Sequence, residues 1–154
     1  QLTSPKEAVE AAGATTHVIS TEPGEIEGKN GTKVTVDVTS ADAKADDYDA
    51  LILPGGTSNA DTIRTDANAV ELVKKLREAG KPVGVICHGG WILTDADVIK
   101  GVKLTSFKSL QTDLRNAGAT WVDEEVVVDS GFVSSRTPKD LPAFNNAIVK
   151  EFSR

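Results

Sequence analysis

The segment Pro82-Val-Gly-Val-Ile-Cys-His-Gly-Gly90 decides the fold, because it joins a short apolar run to a glycine-rich turn. The run from Pro82 to Ile86 predicts a buried strand, and the stretch from Trp91 to Ile99 predicts a helix. Cys87 is therefore expected at a strand-to-helix elbow, which projects a nucleophile above the sheet. Amide N–H groups at the start of the following helix favour the thiolate, the reactive form of cysteine.

The rest of the chain alternates between predicted strands and predicted helices. Helices are predicted over 4–13, 67–79, 109–117 and 139–152, and strands over 15–20, 34–38, 49–53, 82–86, 103–106, 125–129 and 132–135. Residues 22–33 are predicted to form a loop, and Ser130-Gly131 a two-residue hairpin turn. This alternation predicts an α/β fold with a mainly parallel sheet covered by helices on both faces.

Length and composition exclude several classes of protein. The 154 residues, 39% of them hydrophobic, suit one globular domain over 1–154. A single cysteine excludes an internal disulfide framework and favours a reducing, cytoplasmic compartment. The net charge of -6 argues against a nucleic-acid partner, and no apolar run approaches the ~18 residues of a membrane helix. One cysteine and two distant histidines do not supply a closed zinc site, so we expect no metal.

The first predicted helix begins at Ser4-Pro5, ahead of any strand. A parallel α/β domain usually leads into such a helix from a strand. We therefore expect the domain formed by residues 1–154 to lack its first β-strand, which would lie in the interior of the sheet.

Two glycine-rich turns are predicted at the edge of the sheet where α/β proteins bind ligands. Gly55 and Gly56 follow one strand, and their amides, with that of His88, would form an oxyanion hole beside the Cys87 sulfur; a plain Gly-Gly turn is the alternative. His88 is the candidate base, although adjacent side chains diverge and need a special backbone conformation to meet. A structural or capping histidine is the alternative. No histidine follows His88, which excludes the His-x-Glu of class I glutamine amidotransferases.

Three stretches closely resemble the ThiJ/PfpI superfamily, and the resemblance covers essentially all 154 residues. They are Asp47-Tyr-Asp-Ala-Leu-Ile-Leu-Pro-Gly-Gly56, Gly80-Lys-Pro-Val-Gly-Val-Ile-Cys-His-Gly89 and Val133-Ser-Ser-Arg-Thr-Pro-Lys-Asp-Leu-Pro142. A fourth stretch, Asn116-Ala-Gly-Ala-Thr-Trp-Val-Asp-Glu-Glu-Val-Val-Val-Asp129, is typical of the PfpI-type intracellular proteases and bacterial general stress proteins. The resemblance implies a flavodoxin-like three-layer sandwich that assembles into homodimers or higher oligomers.

The resemblance also implies roles for individual residues. Cys87 would be the nucleophile, with His88 beside it, and an acidic residue from a neighbouring subunit would orient the histidine. Asp61 aligns with that acidic position, where the family usually has the longer Glu; a local turn or capping role is the alternative for Asp61. Arg136 and Gly89 lie in the matching motifs and are expected, with the two glycines of the first turn, to bind the substrate or its oxyanion.

Two departures from the family pattern accompany these roles. Gly90 stands where the family usually has Pro. The acidic residue that normally lies next to the cysteine comes from the first strand, which we expect to be absent here.

The function implied by the resemblance is that of a stress-related, cysteine-dependent hydrolase or lyase acting on carbonyl adducts. Such an enzyme would be a protein deglycase or a glyoxalase that needs no cofactor, with small carbonyl compounds or glycated peptides as substrates. An intracellular cysteine peptidase is a second interpretation. A non-enzymatic stress protein that senses oxidants through reversible oxidation of Cys87 is a third.

Overall fold

A mainly parallel sheet with helices on both faces organises the structure, a computed structural model that describes residues 2–27 and 33–153. The α-helices of this part are α1 (Thr3–Ala11), α2 (Thr57–Ile63), α3 (Ala67–Glu78), α4 (Trp91–Ala96), α5 (Gln111–Asn116) and α6 (Leu141–Phe152). The strands are β1 (Ile19–Ser20), β2 (Glu25–Glu27), β3 (Lys33–Thr35), β4 (Val38–Thr39), β5 (Leu51–Leu53), β6 (Val83–Ile86), β7 (Lys103–Leu104), β8 (Thr120–Trp121), β9 (Val127–Asp129) and β10 (Phe132–Ser135).

The main sheet has the strand order β5-β6-β10-β9. Strands β5 and β10 both pair with β6 in parallel, so that Leu51 and Phe132 lie on either side of Val83. Strand β9 pairs with β10 antiparallel across the turn at Ser130 and Gly131, which have φ values of 53° and 84°. These two positive φ angles are typical of the two-residue hairpin turn that the sequence predicts.

Smaller pairings surround the main sheet. Strands β1 and β4 pair in parallel, as do β7 and β8, whereas β2 and β3 form an antiparallel pair. Within residues 2–27 and 33–153, β5 pairs only with β6, and its other edge faces no hydrogen-bonded strand. The expectation of a further first strand stays a prediction.

Alternating side chains of the buried strands supply two apolar clusters, one on each face of the sheet. Val83 and Val85 of β6 pack with α3, α4 and α5, whereas Ile86 packs with α1 and α6. Helix α1 lies against α6, and Asn145 donates a hydrogen bond of 2.8 Å to the Ser4 hydroxyl between them. The predicted three-layer α/β sandwich is confirmed.

Several element boundaries differ from the sequence prediction. Of the strand predicted over 15–20, only β1 is observed. The strand predicted over 34–38 is observed as two separate strands, β3 and β4. Asp37 interrupts the second predicted strand, because its carboxylate accepts a hydrogen bond from the Val18 N–H while its own N–H donates to the Val18 carbonyl. A side chain thus replaces one bond of a strand ladder. The predicted loop over 22–33 contains β2 and the start of β3, and its residues 28–32 lie outside the described residues.

The helix predicted from Trp91 to Ile99 ends early, at Ala96. Asp97 adopts a left-handed φ of 55°, and its N–H returns to the Leu93 carbonyl, which closes the helix after six residues. Helix α2 and strand β8 were absent from the sequence prediction.

Replacement of Gly84 tests the close packing of α6 on β6. A methyl group at this position would lie 2.8 Å from Ile148 Cγ2 and 3.2 Å from Phe144 Cζ. We expect Gly84→Ala to lower the free energy of unfolding by about 1–3 kcal/mol through overpacking, as measured by chemical denaturation.

The Ile148→Leu variant supplies the control, because leucine has no methyl branch on Cβ. In the double variant, we expect the two losses to be less than additive. An unchanged stability of Gly84→Ala, or strict additivity in the double variant, would contradict direct contact between the two elements.

Candidate active site

Cys87 lies at a strained turn between β6 and α4. Its φ of 59° falls in the left-handed region, which non-glycine residues rarely adopt. Residues Cys87–Gly90 form one turn of 3-10 helix, and α4 follows directly. Strained backbone of this kind clusters at active sites, where the surrounding structure holds it in place. The backbone geometry therefore matches the nucleophile elbow predicted from the sequence.

The turn brings the side chains of two adjacent residues into contact. His88 Nδ1 lies 3.3 Å from Cys87 Sγ, within hydrogen-bonding distance for sulfur. Side chains of neighbouring residues normally diverge, and the left-handed conformation of Cys87 is what lets these two converge. The thiol is buried, with 6% of the residue exposed, so the imidazole is positioned to exchange a proton with a largely desolvated sulfur.

Residues from two other parts of the chain contact the His88 imidazole. The Ser109 hydroxyl lies 3.1 Å from Nε2, and the Thr57 hydroxyl lies 3.5 Å from Nδ1. The Phe107 ring stacks on the imidazole, with a centroid distance of 4.6 Å and an interplanar angle of 23°. The Phe107 N–H also donates a 3.1 Å hydrogen bond to the Cys87 carbonyl. The ring of His88 is thus held on one face and by contacts at both nitrogens.

The glycine turn after β5 lies next to the elbow, as the sequence predicts. A Cβ atom at Gly89 would collide with the carbonyl oxygen of Leu53 and would lie 2.7 Å from that of Pro54. Because Gly89 has no side chain, the elbow can pack directly against the backbone at the end of β5. Gly56 has a φ of 103°, and none of the hydrogen bonds among the described residues uses the N–H groups of Gly55 or Gly56. An oxyanion-binding role for these amides stays a proposal.

Arg136 is engaged by two carboxylates. Its guanidinium donates two hydrogen bonds to Asp140, of 2.9 and 3.1 Å, and one of 2.9 Å to Asp123. The hydrogen bonds from Arg136 hold the pKa of the Asp140 carboxyl below its usual value. Arg136 also lines a cavity of about 390 Å³ beside Phe107 and Trp121. Phe107, whose ring stacks on His88, lines the same cavity as Arg136.

Asp61 is exposed on α2, one helical turn after Thr57. Residues four apart share a helix face, so Asp61 lies on the face of α2 that also carries the Thr57 hydroxyl near His88. No hydrogen bond recorded among the described residues joins Asp61 to His88. A role for Asp61 toward the histidine of another subunit stays a proposal.

The sequence reasoning missed Thr57, Phe107 and Ser109. Each follows the end of a strand at the edge where the two glycine-rich turns lie, so a survey of side chains beyond every strand end would have found them. No group of three or more His, Cys, Asp or Glu side chains within the described ranges could hold a metal ion. Of the helices described, none is long and apolar enough to cross a membrane.

Two glycine variants test the close approach between the elbow and the turn after β5. We expect Gly89→Ala to displace the elbow, because its methyl group would meet fixed backbone carbonyls. We expect Gly90→Ala to be tolerated, because its methyl group would meet only side chains, Val85 at 3.2 Å and Leu93 at 3.9 Å.

The measurements are thermal melting and the rate of Cys87 alkylation by iodoacetamide. Gly89→Ala should lower the melting temperature and change the alkylation rate, while Gly90→Ala keeps both near the wild-type values. Equal behaviour of the two variants would show that the elbow does not depend on this approach.

Comparisons with known proteins identify similar sequences along nearly the whole chain. The DJ-1/PfpI family matches residues 1–151. An uncharacterized protein of Staphylococcus haemolyticus is 49% identical over 154 residues, which cover 98% of this chain and 89% of that protein. A Bacillus subtilis protein named "Putative cysteine protease YraA" is 47% identical over 146 residues, which cover 94% of this chain and 86% of that protein.

A solved structure shows the same fold. It is a two-domain protein from Anabaena variabilis with DJ-1/ThiJ/PfpI-like and ferritin-like domains. The two structures superpose with a TM-score of 0.93 and 34% sequence identity. The match covers 97% of this chain and 43% of the Anabaena variabilis chain. With its flavodoxin-like α/β fold and a match along nearly its whole length, the chain belongs to the DJ-1/PfpI family.

Proposed function

We propose that the protein is a cysteine-dependent enzyme that converts small dicarbonyl compounds or their adducts with proteins. The observation that carries this proposal is the 3.3 Å contact between Cys87 Sγ and His88 Nδ1 at a strained elbow. A nucleophile within hydrogen-bond reach of a base, with the base in turn oriented by a further group, is the arrangement that covalent catalysis needs. No cofactor is required for this chemistry.

Methylglyoxal illustrates the steps. The Cys87 thiol gives its proton to His88 Nδ1, and the thiolate adds to the aldehyde carbon. The N–H groups of Gly55 and Gly56 would hold the oxyanion until it takes a proton and becomes a hemithioacetal. Loss of the proton from the first carbon and protonation of the ketone oxygen give an enediol. Protonation of the second carbon and loss of the hydroxyl proton on the first carbon then give the lactoyl thioester. Water hydrolyses this thioester, which releases lactate and regenerates the thiol.

The same sulfur would act on a glycated amine, thiol or guanidine. Attack by Cys87 on the carbonyl-derived carbon displaces the protein group, which leaves with a proton from His88. Arg136 borders a cavity that Phe107 also lines, and this position supports a role in binding the part of the substrate remote from the sulfur. A stress-related role in the cytoplasm belongs to the same proposal, supported by the resemblance to general stress proteins and by the single cysteine.

Self-association is a further part of the proposal. In the PfpI-type pattern, an acidic side chain from a neighbouring subunit orients the histidine, and Asp61 is the candidate. Its exposure on the face of α2 that also carries Thr57 supports a position at a contact between subunits. The expected assembly is a homodimer or a higher oligomer.

Peptide hydrolysis is the second candidate, favoured by the name of the Bacillus subtilis relative. The thiol is nearly buried, which favours small carbonyl carbons over the amide of an extended peptide. We therefore rank peptide hydrolysis below the conversion of carbonyl compounds.

Turnover of methylglyoxal, of a methylglyoxal-modified peptide and of an unmodified peptide, measured side by side, tests the proposal. Wild-type protein should release lactate from the first two substrates. Cys87→Ala should lose this activity, and His88→Asn should lower it by roughly 10²–10⁴-fold, the usual contribution of a general base.

His17→Asn is the matched control, because it removes the other histidine of the chain, which contacts the Tyr48 hydroxyl away from the elbow. It should retain wild-type turnover. Absence of carbonyl turnover in the wild type would contradict the proposal. In that case, cleavage of the unmodified peptide would indicate a peptidase, and reversible oxidation of Cys87 alone would indicate a sensor.

A further inference from the structure

Ser109 contacts the nitrogen of His88 that points away from the cysteine. Its hydroxyl lies 3.1 Å from Nε2, while Nδ1 lies 3.3 Å from Cys87 Sγ. The imidazole therefore bridges the sulfur and a hydroxyl through its two nitrogens. No sequence motif singled out this serine.

The segment that carries Ser109 is attached to the elbow independently of that hydroxyl. Residues Lys108–Leu110 form a turn of 3-10 helix directly after Phe107. Phe107 stacks on the imidazole and donates its N–H to the Cys87 carbonyl. The position of the serine relative to His88 is thus fixed by backbone and ring contacts, which makes its hydroxyl a suitable orienting group.

The chemistry of the imidazole determines what that hydroxyl must do. A neutral imidazole carries its proton on one nitrogen, and the other nitrogen is the acceptor. Nδ1 faces the thiol, so it takes up the thiol proton only if the ring proton is on Nε2. In that form, Nε2–H donates to the Ser109 oxygen, and the Thr57 hydroxyl at 3.5 Å can donate to Nδ1.

We propose that Ser109 is a positioning residue that holds His88 in the Nε2–H tautomer, in which Nδ1 faces the thiol as the acceptor of the Cys87 proton. The inference rests on the proposed function, in which His88 is the base. The hydrogen bond from Nε2–H to the Ser109 oxygen favours this tautomer over the one with its proton on Nδ1.

The tautomer of His88 is read directly by long-range proton–nitrogen NMR of the ¹⁵N-labelled protein. The chain has two histidines, so the His17→Asn background leaves only the His88 ring signals. We expect the Nε2–H pattern in this background. Ser109→Ala should give a mixture of tautomers, whereas Ser109→Thr, which keeps a hydroxyl, should retain the original pattern.

The rate of Cys87 alkylation by iodoacetamide provides the second readout. We expect Ser109→Ala to react about threefold to tenfold more slowly, the factor that the loss of one hydrogen bond usually brings. Ser109→Thr and Lys108→Ala, which alters the same turn without removing the hydroxyl, should react at the wild-type rate.

Two results would overturn the inference: an Nδ1–H tautomer in the protein with Ser109 intact, or an unchanged tautomer and alkylation rate in Ser109→Ala. Neither readout requires turnover. A protein that lacks carbonyl activity but shows the expected tautomer shift would contradict the proposed function and leave the role of Ser109 standing. Carbonyl activity in the wild type without a tautomer shift in Ser109→Ala would support the proposed function and contradict the role of Ser109.

Discussion

The left-handed backbone of Cys87 is the constraint on which the site depends. A non-glycine residue in this region carries strain of about 1–3 kcal/mol, and it persists only where the surrounding structure holds it. Three features hold it here. Strand β6 is buried between β5 and β10, the Phe107 N–H is bonded to the Cys87 carbonyl, and Gly89 fits against the carbonyl groups that end β5. The packed sheet thus maintains the strained turn.

This turn converts two adjacent residues into a nucleophile and its base. Without it, the thiol and imidazole would point apart, and the chain has no other cysteine and only one distant histidine to replace them. The groups in contact with His88 include two hydroxyls and the stacked ring of Phe107. An imidazole held by stacking and by hydrogen bonds keeps its orientation while its proton is exchanged. Such an arrangement suits a base that must accept a proton in one step and donate it in the next.

The features set by local pattern could be predicted from the sequence. The apolar run before Cys87, the glycines after it and the Ser130-Gly131 turn each specify a strand end or a tight turn within a few residues. Long-range contacts escaped prediction. Asp37 breaks a strand through its bond to Val18, and Ser109 reaches His88 across 21 positions of sequence. The contact between Cys87 and His88 is predictable only in part. The sequence indicates the elbow, but it does not indicate the positive φ of Cys87 that brings the two side chains together.

The measurement that tests Cys87 as the nucleophile most directly is rapid-quench mass spectrometry of the protein mixed with methylglyoxal, followed by peptide mapping. An adduct of one methylglyoxal should form on Cys87 and decay at the rate of lactate release. The adduct should accumulate in His88→Asn, because the proton transfers after addition are slowed there. An adduct confined to lysine or arginine side chains, with lactate still released, would contradict a covalent role for Cys87.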